Sequence, residues 1–408
     1  MSIVARPTAE AIISFLGSRG VDLTRTCAHD ATHAGAGLAA ASAASAGRVL
    51  LSIPRAVWAP LSALEARSAL ADAAVARVDK HAASVGGGAA LADATLLASR
   101  IAQPDAALQA ALGPYLQELP TPDVPLLWPP PLRMALLRGT SAGPAAESQA
   151  ALSASLHTSL DEGLEPAAFR RAQAILLSRA HSGDGKPLAL VPGLDLLNHG
   201  GDDANAAVRF AAADGAFELV ATRDVAAGHE LLIDYGLCAS HRLLRLYGFV
   251  PHGRTHAAPN GGRASEGDEA IAAEGEEAQV PLLPSAAELD GAPEAVLEEI
   301  AAARTALDSL GIRGSALRLV GTGGGRVVLP ALDHDTPAAA TARRVLRFAV
   351  ETQKHRQAEG AAACTSVAML GGDGAAEVAA RRRAKLCARL HAREAAVLES
   401  ALAELTQQ

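Results

Sequence analysis

The chain has 408 residues and a formal net charge of −8 at pH 7, with 50% of its residues hydrophobic and 3% aromatic. A chain of this length suggests two or three domains with an ample apolar core. The acidic balance argues against sequence-independent binding to nucleic acid, which needs a basic surface. No nucleic-acid partner is therefore expected.

The cysteines lie far apart and form no CxxC or Cys/His cluster: Cys27, Cys238, Cys364 and Cys387. This spacing predicts reduced thiols in an intracellular protein without a metal site. No run of 18 apolar residues is present, so neither a transmembrane helix nor a membrane partner is expected. The first residues lack the pattern of a secretory signal. We expect a monomer in the cytoplasm or nucleus, with the plastid as an alternative.

The first predicted element is a helix that has Thr8 as its N-cap. After it, "GAGLAA" (35–40) and "RVLLSIP" (48–54) predict a strand, a loop and a second strand that closes at its proline. Helical patterns then cover 61–118, with an interruption at the "GGG" of 86–88.

The next stretch, "LPTPDVPLLWPPP" (119–131), is too rich in proline for a regular helix or a central strand. A helical pattern returns at 145–181. From 188 the apolar runs become short and strand-like, and "AADG" (212–215) predicts a hairpin turn between two of them.

A short helix is predicted at 240–250, and residues 252–281 are rich in Gly, Ala, Glu and Pro, which predicts a linker. Three long helical patterns follow at 284–311, 336–358 and 374–405. The strands cluster in one region and do not alternate with helices, so a doubly wound parallel sheet is disfavoured.

Several motifs have both a structural and a functional interpretation. "GAGLAA" is either a plain β-turn or a loop that cradles phosphate, although its last residue breaks the GxGxxG pattern. "DLLNH" (195–199), taken alone, favours a turn in which Asn198 caps the backbone. Tyr235 and Tyr247, in a chain with three tyrosines, are either core aromatics or a pair beside a site. No GxSxG or HExxH motif supports hydrolase chemistry.

Taken in chain order, these pieces resemble the SET-domain protein methyltransferases and, more narrowly, the Rubisco large-subunit methyltransferase-like group. Five segments carry the resemblance: "GAGLAA…AGRVLLSIP", "LPTPDVPLLW", "FRRAQAILLSRA", "VPGLDLLNH" and "ELLIDYGLCASHRLLRLYGFV". It covers roughly residues 10–250 well. The C-terminal helices, ending in "LHAREAAVLESAL", match that group's substrate-binding domain more loosely.

The resemblance implies an α+β chain with a SET-type knotted β-clip fold and a helical insertion, followed by an all-helical C-terminal domain. The implied boundaries are 10–74 for the N-terminal part of the SET domain, 75–165 for the helical insertion, 166–251 for the C-terminal part of the SET domain, 252–281 for a flexible linker and 282–408 for the helical substrate-binding domain.

The resemblance also implies S-adenosylmethionine as cofactor. The implied cofactor-binding residues are Gly35, Ala36, Gly37, Arg179, Asn198, His199, Tyr235 and Tyr247. The implied substrate-binding residues are Ser178, Arg179, Asp195 and Phe249. Tyr235 is the implied catalytic residue, which orients the target amine. Asp195 either lines the amine channel or caps the backbone of its own turn.

Two positions depart from the family pattern. Ala34 stands where the family often has an acid before the Gly-rich segment, and Ala239-Ser240 stands where it often has Ser-Asn. Serine cannot donate the two amide hydrogens that asparagine offers.

The implied function is S-adenosylmethionine-dependent N-methylation of lysine in a folded non-histone protein, which docks on the C-terminal helical domain. Two alternatives stay open: a protein-histidine N-methyltransferase of the same group, and a non-catalytic SET-fold interaction module. A nucleotide enzyme built on "GAGLAA" would need an acid about 20 residues later, and "RAVWAP" (55–60) has none. The basic run "RRRAKLCARLHAR" (381–393) is either a solvated face or a docking surface for an acidic protein.

Overall fold

The computed structural model describes residues 5–31, 35–160, 163–183, 185–236, 239–251, 277–283, 294–309, 312, 316–320 and 336–407. Ala34, most of the predicted linker (252–276) and the start of the helix predicted from 284 lie outside these residues.

The helices account for the larger part of the described chain. They are α1 (Ala5–Ser18), α2 (Arg55–Trp58), α3 (Ala63–Ala69), α4 (Asp72–Ser84), α5 (Gly88–Ala102), α6 (Ala106–Glu118), α7 (Pro130–Leu136), α8 (Ala142–His157), α9 (Pro166–Arg179), α10 (Ser240–Tyr247), α11 (Glu294–Ser309), α12 (Pro337–Ala368) and α13 (Ala375–Gln407). Helix α1 begins at Ala5, so the prediction of Thr8 as its N-cap is wrong. None of the helices in the described ranges combines the length and the apolarity that a bilayer crossing needs.

The strands are short. They are β1 (Thr26–Ala31), β2 (Gly35–Ala40), β3 (Val49–Ile53), β4 (Ala180–Gly183), β5 (Lys186–Leu190), β6 (Asn198–His199), β7 (Ala206–Ala211), β8 (Ala216–Ala221), β9 (Leu232–Ile233), β10 (Glu277–Pro281) and β11 (Ala316–Val320). They pair into small sheets, of which β3-β8-β7 has three strands and the others have two. The hairpin predicted at 212–215 is confirmed, because it joins the antiparallel strands β7 and β8.

The segment "GAGLAA" forms strand β2 and not a turn. It pairs with β1 in an antiparallel register along its whole length, from Gly35 opposite Ala31 to Ala40 opposite Thr26. A strand paired in this way does not present the open loop that a dinucleotide fingerprint needs. The nucleotide-loop interpretation is therefore wrong. The strand predicted before the loop is therefore confirmed as β2, although Gly and Ala are depleted in strands generally.

The chain divides into two compact units, Met1–Leu127 with Ser148–Gly236, and Trp128–Glu147 with Leu237–Gln408. The second unit is mainly helical but also contains the antiparallel pair β10–β11. Residues 277–281, which the sequence assigns to the linker, therefore form a strand. The domain boundaries inferred from the sequence stay predictions.

An aromatic cluster anchors the hairpin of the first unit. The Trp58 ring packs edge-on against Phe217, with 5.1 Å between ring centroids, and against Phe210 at 5.9 Å. Its indole Nε1 donates to the carbonyl of Gly215 at 3.0 Å, which satisfies the one polar atom of the buried ring. Helix α2, β7 and β8 are thereby held together beside the strands that carry the candidate site.

Candidate active site

Backbone pairing brings three distant segments of the first unit together. Strand β2 pairs with the segment before β9: Ala39 bridges Glu230, and the amide of Leu231 donates to the carbonyl of Leu38 at 2.7 Å. Strand β9 then continues alongside β6 in a parallel pair, with Asn198 opposite Leu232. The Gly-rich strand, the Asn-His pair and the segment leading to Tyr235 therefore meet at one place, as the resemblance implies.

Asn198 and Gly37 approach each other closely at this meeting point. The amide Nδ2 of Asn198 donates to the carbonyl of Ala36 at 3.3 Å and to Oε1 of Glu230 at 2.8 Å. A Cβ at position 37 would lie 2.9 Å from both Asn198 Nδ2 and Glu230 Oε1, so a larger residue fits only if one of these side chains moves. Asn198 thus contacts another strand, and its interpretation as a cap of its own turn is wrong.

Tyr235 and His199 are neighbours through both backbone and rings. The amide of Tyr235 donates to Nδ1 of His199 at 3.2 Å, and the two rings lie 5.1 Å apart between centroids. Nδ1 of His199 therefore acts as the acceptor in this contact. The Tyr235 hydroxyl donates to the carbonyl of Leu197 at 2.6 Å, which fixes the phenol beside the Asn-His pair.

Ser178 and Arg179 are the last residues of helix α9, and their side chains donate hydrogen bonds to backbone carbonyls. The Arg179 guanidinium donates through Nη1 to the carbonyl of Asp195 at 2.7 Å and lies 3.8 Å from Oδ2 of that residue. The Ser178 hydroxyl donates to the Ala174 carbonyl at 2.9 Å, inside α9. Arg179 therefore holds the turn that leads to Asn198, and the substrate contact predicted for Ser178 stays a prediction.

Asp195 has a fully buried side chain within the turn that precedes Asn198. Its Oδ1 accepts from the amide of Gly193 at 2.8 Å, and Gly193 has a φ of 89°, in the left-handed region. This is the capping role that the sequence left as an alternative to lining the amine channel. Oδ2 of Asp195 is buried as well.

Tyr115, which the sequence did not single out, lies next to Asp195. Burial is the main cause that raises the pKa of the Tyr115 phenol well above its usual value, and the Asp195 charge adds to it. Burial likewise raises the pKa of the Asp195 carboxyl, while the nearby Arg179 guanidinium opposes that rise. The third tyrosine of the chain thus belongs to the surroundings of the site.

We expect the variant Asp195→Asn to gain stability relative to the wild type as the pH rises. The folded chain holds the Asp195 proton more tightly than the unfolded chain, so the carboxyl destabilises the fold increasingly above its ordinary pKa. Asparagine keeps an oxygen for the Gly193 amide and never ionises. Each kcal/mol gained corresponds to about 2–4 °C for a unit of this size. Thermal unfolding checks this: the difference should be larger at pH 8 than at pH 4, and an unchanging difference contradicts it.

Tyr247 and Phe249 lie in the second unit, where their ring centroids are 6.3 Å apart. Ser240, one of the departures from the family pattern, accepts there from Nη1 of Arg393 at 2.9 Å. Contacts of Tyr247 with cofactor and of Phe249 with substrate stay predictions.

Glu230 is the second site residue that sequence reasoning missed. Its carboxylate touches Asn198 through Oε1 at 2.8 Å, and its Oε2 lies 3.8 Å from Nε2 of His29. The sequence feature that could have indicated Glu230 is its position five residues before Tyr235, on the segment that leads to β9.

Comparison with known proteins bears directly on this arrangement. The family model for the SET domain matches residues 35–236. Among solved structures, the SET domain of LSMT bound to lysine and AdoHcy is 17% identical, with a TM-score of 0.61 over 98% of this chain and 92% of that chain. Rubisco LSMT bound to AdoMet is 16% identical, with a TM-score of 0.60 over the same shares. No curated protein sequence matches the chain significantly.

These similarities confirm the predicted fold class, in which a SET-type fold with a helical insertion is followed by helices α11 to α13. The matched range begins at Gly35 and ends at Gly236, so it contains every predicted site residue of the first unit. The chain is a SET-domain protein that shares the fold of the Rubisco LSMT structures.

Proposed function

We propose that the chain is an S-adenosylmethionine-dependent protein-lysine N-methyltransferase. The observation that carries the proposal is that Gly37, Asn198, His199 and Tyr235 meet at one place. Gly37 and Tyr235 are 198 positions apart in the sequence. Structures of the same fold support it, since they hold AdoMet, or lysine with AdoHcy, or sinefungin with monomethyllysine.

The residues present suit such a cofactor. S-adenosylmethionine carries an ammonium group and a sulfonium, so a site for it needs acceptor oxygens and close backbone approach. Gly37 allows the approach because a Cβ there would push against the ends of the Asn198 and Glu230 side chains. The Asn198 amide supplies an acceptor oxygen. We propose that Gly35, Ala36, Gly37, Arg179, Asn198 and His199 hold the cofactor.

When bound, S-adenosylmethionine supplies a methyl group on an electrophilic sulfonium. The task of the chain is to hold the target amine in line with that carbon. The Tyr235 hydroxyl uses its hydrogen for the Leu197 carbonyl, so its oxygen meets an incoming amine as an acceptor. An amine that donates a hydrogen to Oη of Tyr235 has its lone pair directed elsewhere, and we propose that this orients it for attack.

A lysine amine must lose a proton before it attacks, although its free pKa is about 10.4. Burial disfavours the charged ammonium, and a neighbouring positive charge does the same. The segment from Val191 to Leu197 is buried, and Tyr235 is half-buried against it. An amine in these surroundings needs no strong general base.

We propose that the protein substrate docks on the second unit. Two arginines of the basic run of α13 use guanidinium hydrogens in contacts within this unit. Arg393 donates to Ser240 and to the Pro251 carbonyl, both at 2.9 Å, and Arg381 donates to the Leu370 carbonyl at 2.9 Å. Arg382 and Lys385 are exposed. Docking through this helix therefore rests on Arg382, Lys385 and their neighbours.

Calorimetric titration of the full chain with S-adenosylmethionine separates a methyltransferase from a non-catalytic interaction module. We expect one binding site with a dissociation constant between about 1 μM and 1 mM, the usual range for enzyme substrates. S-adenosylhomocysteine should compete for the same site. Absence of any binding to a folded chain favours the interaction module.

A further inference from the structure

The Asn198 side chain has its orientation dictated by two neighbouring oxygens. The carbonyl of Ala36 and the carboxylate of Glu230 are both pure acceptors, 3.3 Å and 2.8 Å from the same Asn198 nitrogen. Only the NH₂ end of the amide can face them, because an amide oxygen there would meet two like partners. Oδ1 of Asn198 is consequently turned away from both.

Glu230 is itself held firmly by the backbone around it. Glu230 forms a β-bridge with Ala39 of β2, and the backbone carbonyl of Glu230 accepts a hydrogen bond from Nδ2 of Asn205 at 2.8 Å. Asn205 also accepts, through Oδ1, from the amide of Leu232 at 3.0 Å, so one side chain secures both ends of this short segment. The second carboxylate oxygen of Glu230 lies 3.8 Å from Nε2 of His29.

We propose that Glu230 is a positioning residue for cofactor recognition. Its carboxylate holds the Asn198 amide so that Oδ1 is presented as an acceptor to the ammonium group on the amino-acid part of the cofactor. Gly37 makes room for this contact, since any Cβ there would collide with both side chains. The inference rests on the proposed function, because it assigns a partner within the proposed cofactor site.

Three ligands of the full chain distinguish this role from a general structural one. S-adenosylmethionine and S-adenosylhomocysteine both carry the ammonium group, and methylthioadenosine lacks the amino-acid part. Losing a hydrogen bond to a charged group costs about 10-fold to 100-fold in affinity. For Glu230→Ala we expect a loss of affinity of this size for S-adenosylmethionine and S-adenosylhomocysteine. We expect the affinity for methylthioadenosine to fall by less than about threefold.

Two further variants sharpen the experiment. Glu230→Gln keeps an acceptor oxygen for Asn198, so we expect affinities within about threefold of the wild type. Glu218→Ala is the matched control, because Glu218 pairs with Arg209 on the β7–β8 hairpin at 2.7 Å, away from this contact. It should leave all three affinities unchanged, with folding of each variant checked by thermal unfolding.

The outcomes separate this inference from the proposed function. If the wild type binds S-adenosylmethionine and Glu230→Ala binds it equally well, the role of Glu230 is wrong and the proposed function stands. Equal losses for all three ligands, or a loss in Glu230→Gln as large as in Glu230→Ala, also overturn positioning through Asn198. If the folded wild type binds none of the ligands, the proposed function itself fails.

Discussion

Replacing Tyr235 with phenylalanine is expected to lower the rate of methyl transfer by about 100-fold or more, the usual cost of losing one positioned polar group at a reacting centre. The change removes the hydroxyl that donates to the Leu197 carbonyl and that we propose orients the amine. The ring remains, and so does the backbone hydrogen bond from Tyr235 to His199. Cofactor affinity should therefore change by less than about threefold, because no cofactor contact is assigned to the hydroxyl.

The measurement is the initial rate of labelled methyl incorporation into protein, with cofactor affinity determined in parallel. A variant that binds the cofactor normally but transfers slowly has lost orientation of the amine. Unchanged transfer by a pure, folded Tyr235→Phe protein would contradict the catalytic assignment.

The second large effect is expected from Gly37→Ala. The added Cβ would lie 2.9 Å from Asn198 Nδ2 and from Glu230 Oε1, so at least one of the two side chains must move. Gly37 lies in an extended strand, and the effect is therefore steric and not a matter of backbone conformation. We expect cofactor affinity to fall by about 100-fold and stability by about 1–3 kcal/mol, as for other overpacked sites.

Equilibrium dialysis with labelled S-adenosylhomocysteine measures the affinity, and thermal unfolding measures the stability. Gly163→Ala is the matched control, since a Cβ at that position meets nothing within 4 Å. It should leave affinity and stability unchanged. If Gly37→Ala binds the cofactor like the wild type, the cofactor does not depend on the contact between β2 and Asn198.

The meeting of β2, Asn198 and Tyr235 was predictable only through the resemblance to the SET-domain methyltransferases, which five segments in a fixed order carry. The hairpin at 212–215 was also predictable, since Gly215 and the flanking apolar runs are local signals. For strand β2 the composition is a weaker signal, because "GAGLAA" has none of the β-branched or aromatic residues typical of strands. Its pairing with β1 and Glu230 depends on tertiary structure.

Tyr115 and Glu230 could not be assigned from the sequence for the same reason. Tyr115 lies 80 positions before Asp195, inside a helix whose other residues look like ordinary core. Glu230 resembles any exposed acid until β2 places it against Asn198. Asp195 differs from these two residues, because the sequence already offered two roles for it, lining the amine channel or capping its own turn. The hydrogen bond from the Gly193 amide favours the capping role. Long-range packing decides such cases.

The proposed methyl transfer is tested most directly by identifying the amino acid that receives the methyl group. The full chain is incubated with methyl-labelled S-adenosylmethionine and a lysate of the source cells, and the labelled protein is hydrolysed to amino acids. We expect the label to be recovered as Nε-methyllysine, and we expect Tyr235→Phe to reduce it strongly. Recovery as methylhistidine would contradict lysine as the acceptor. Cofactor binding without any label in protein would contradict methyl transfer altogether.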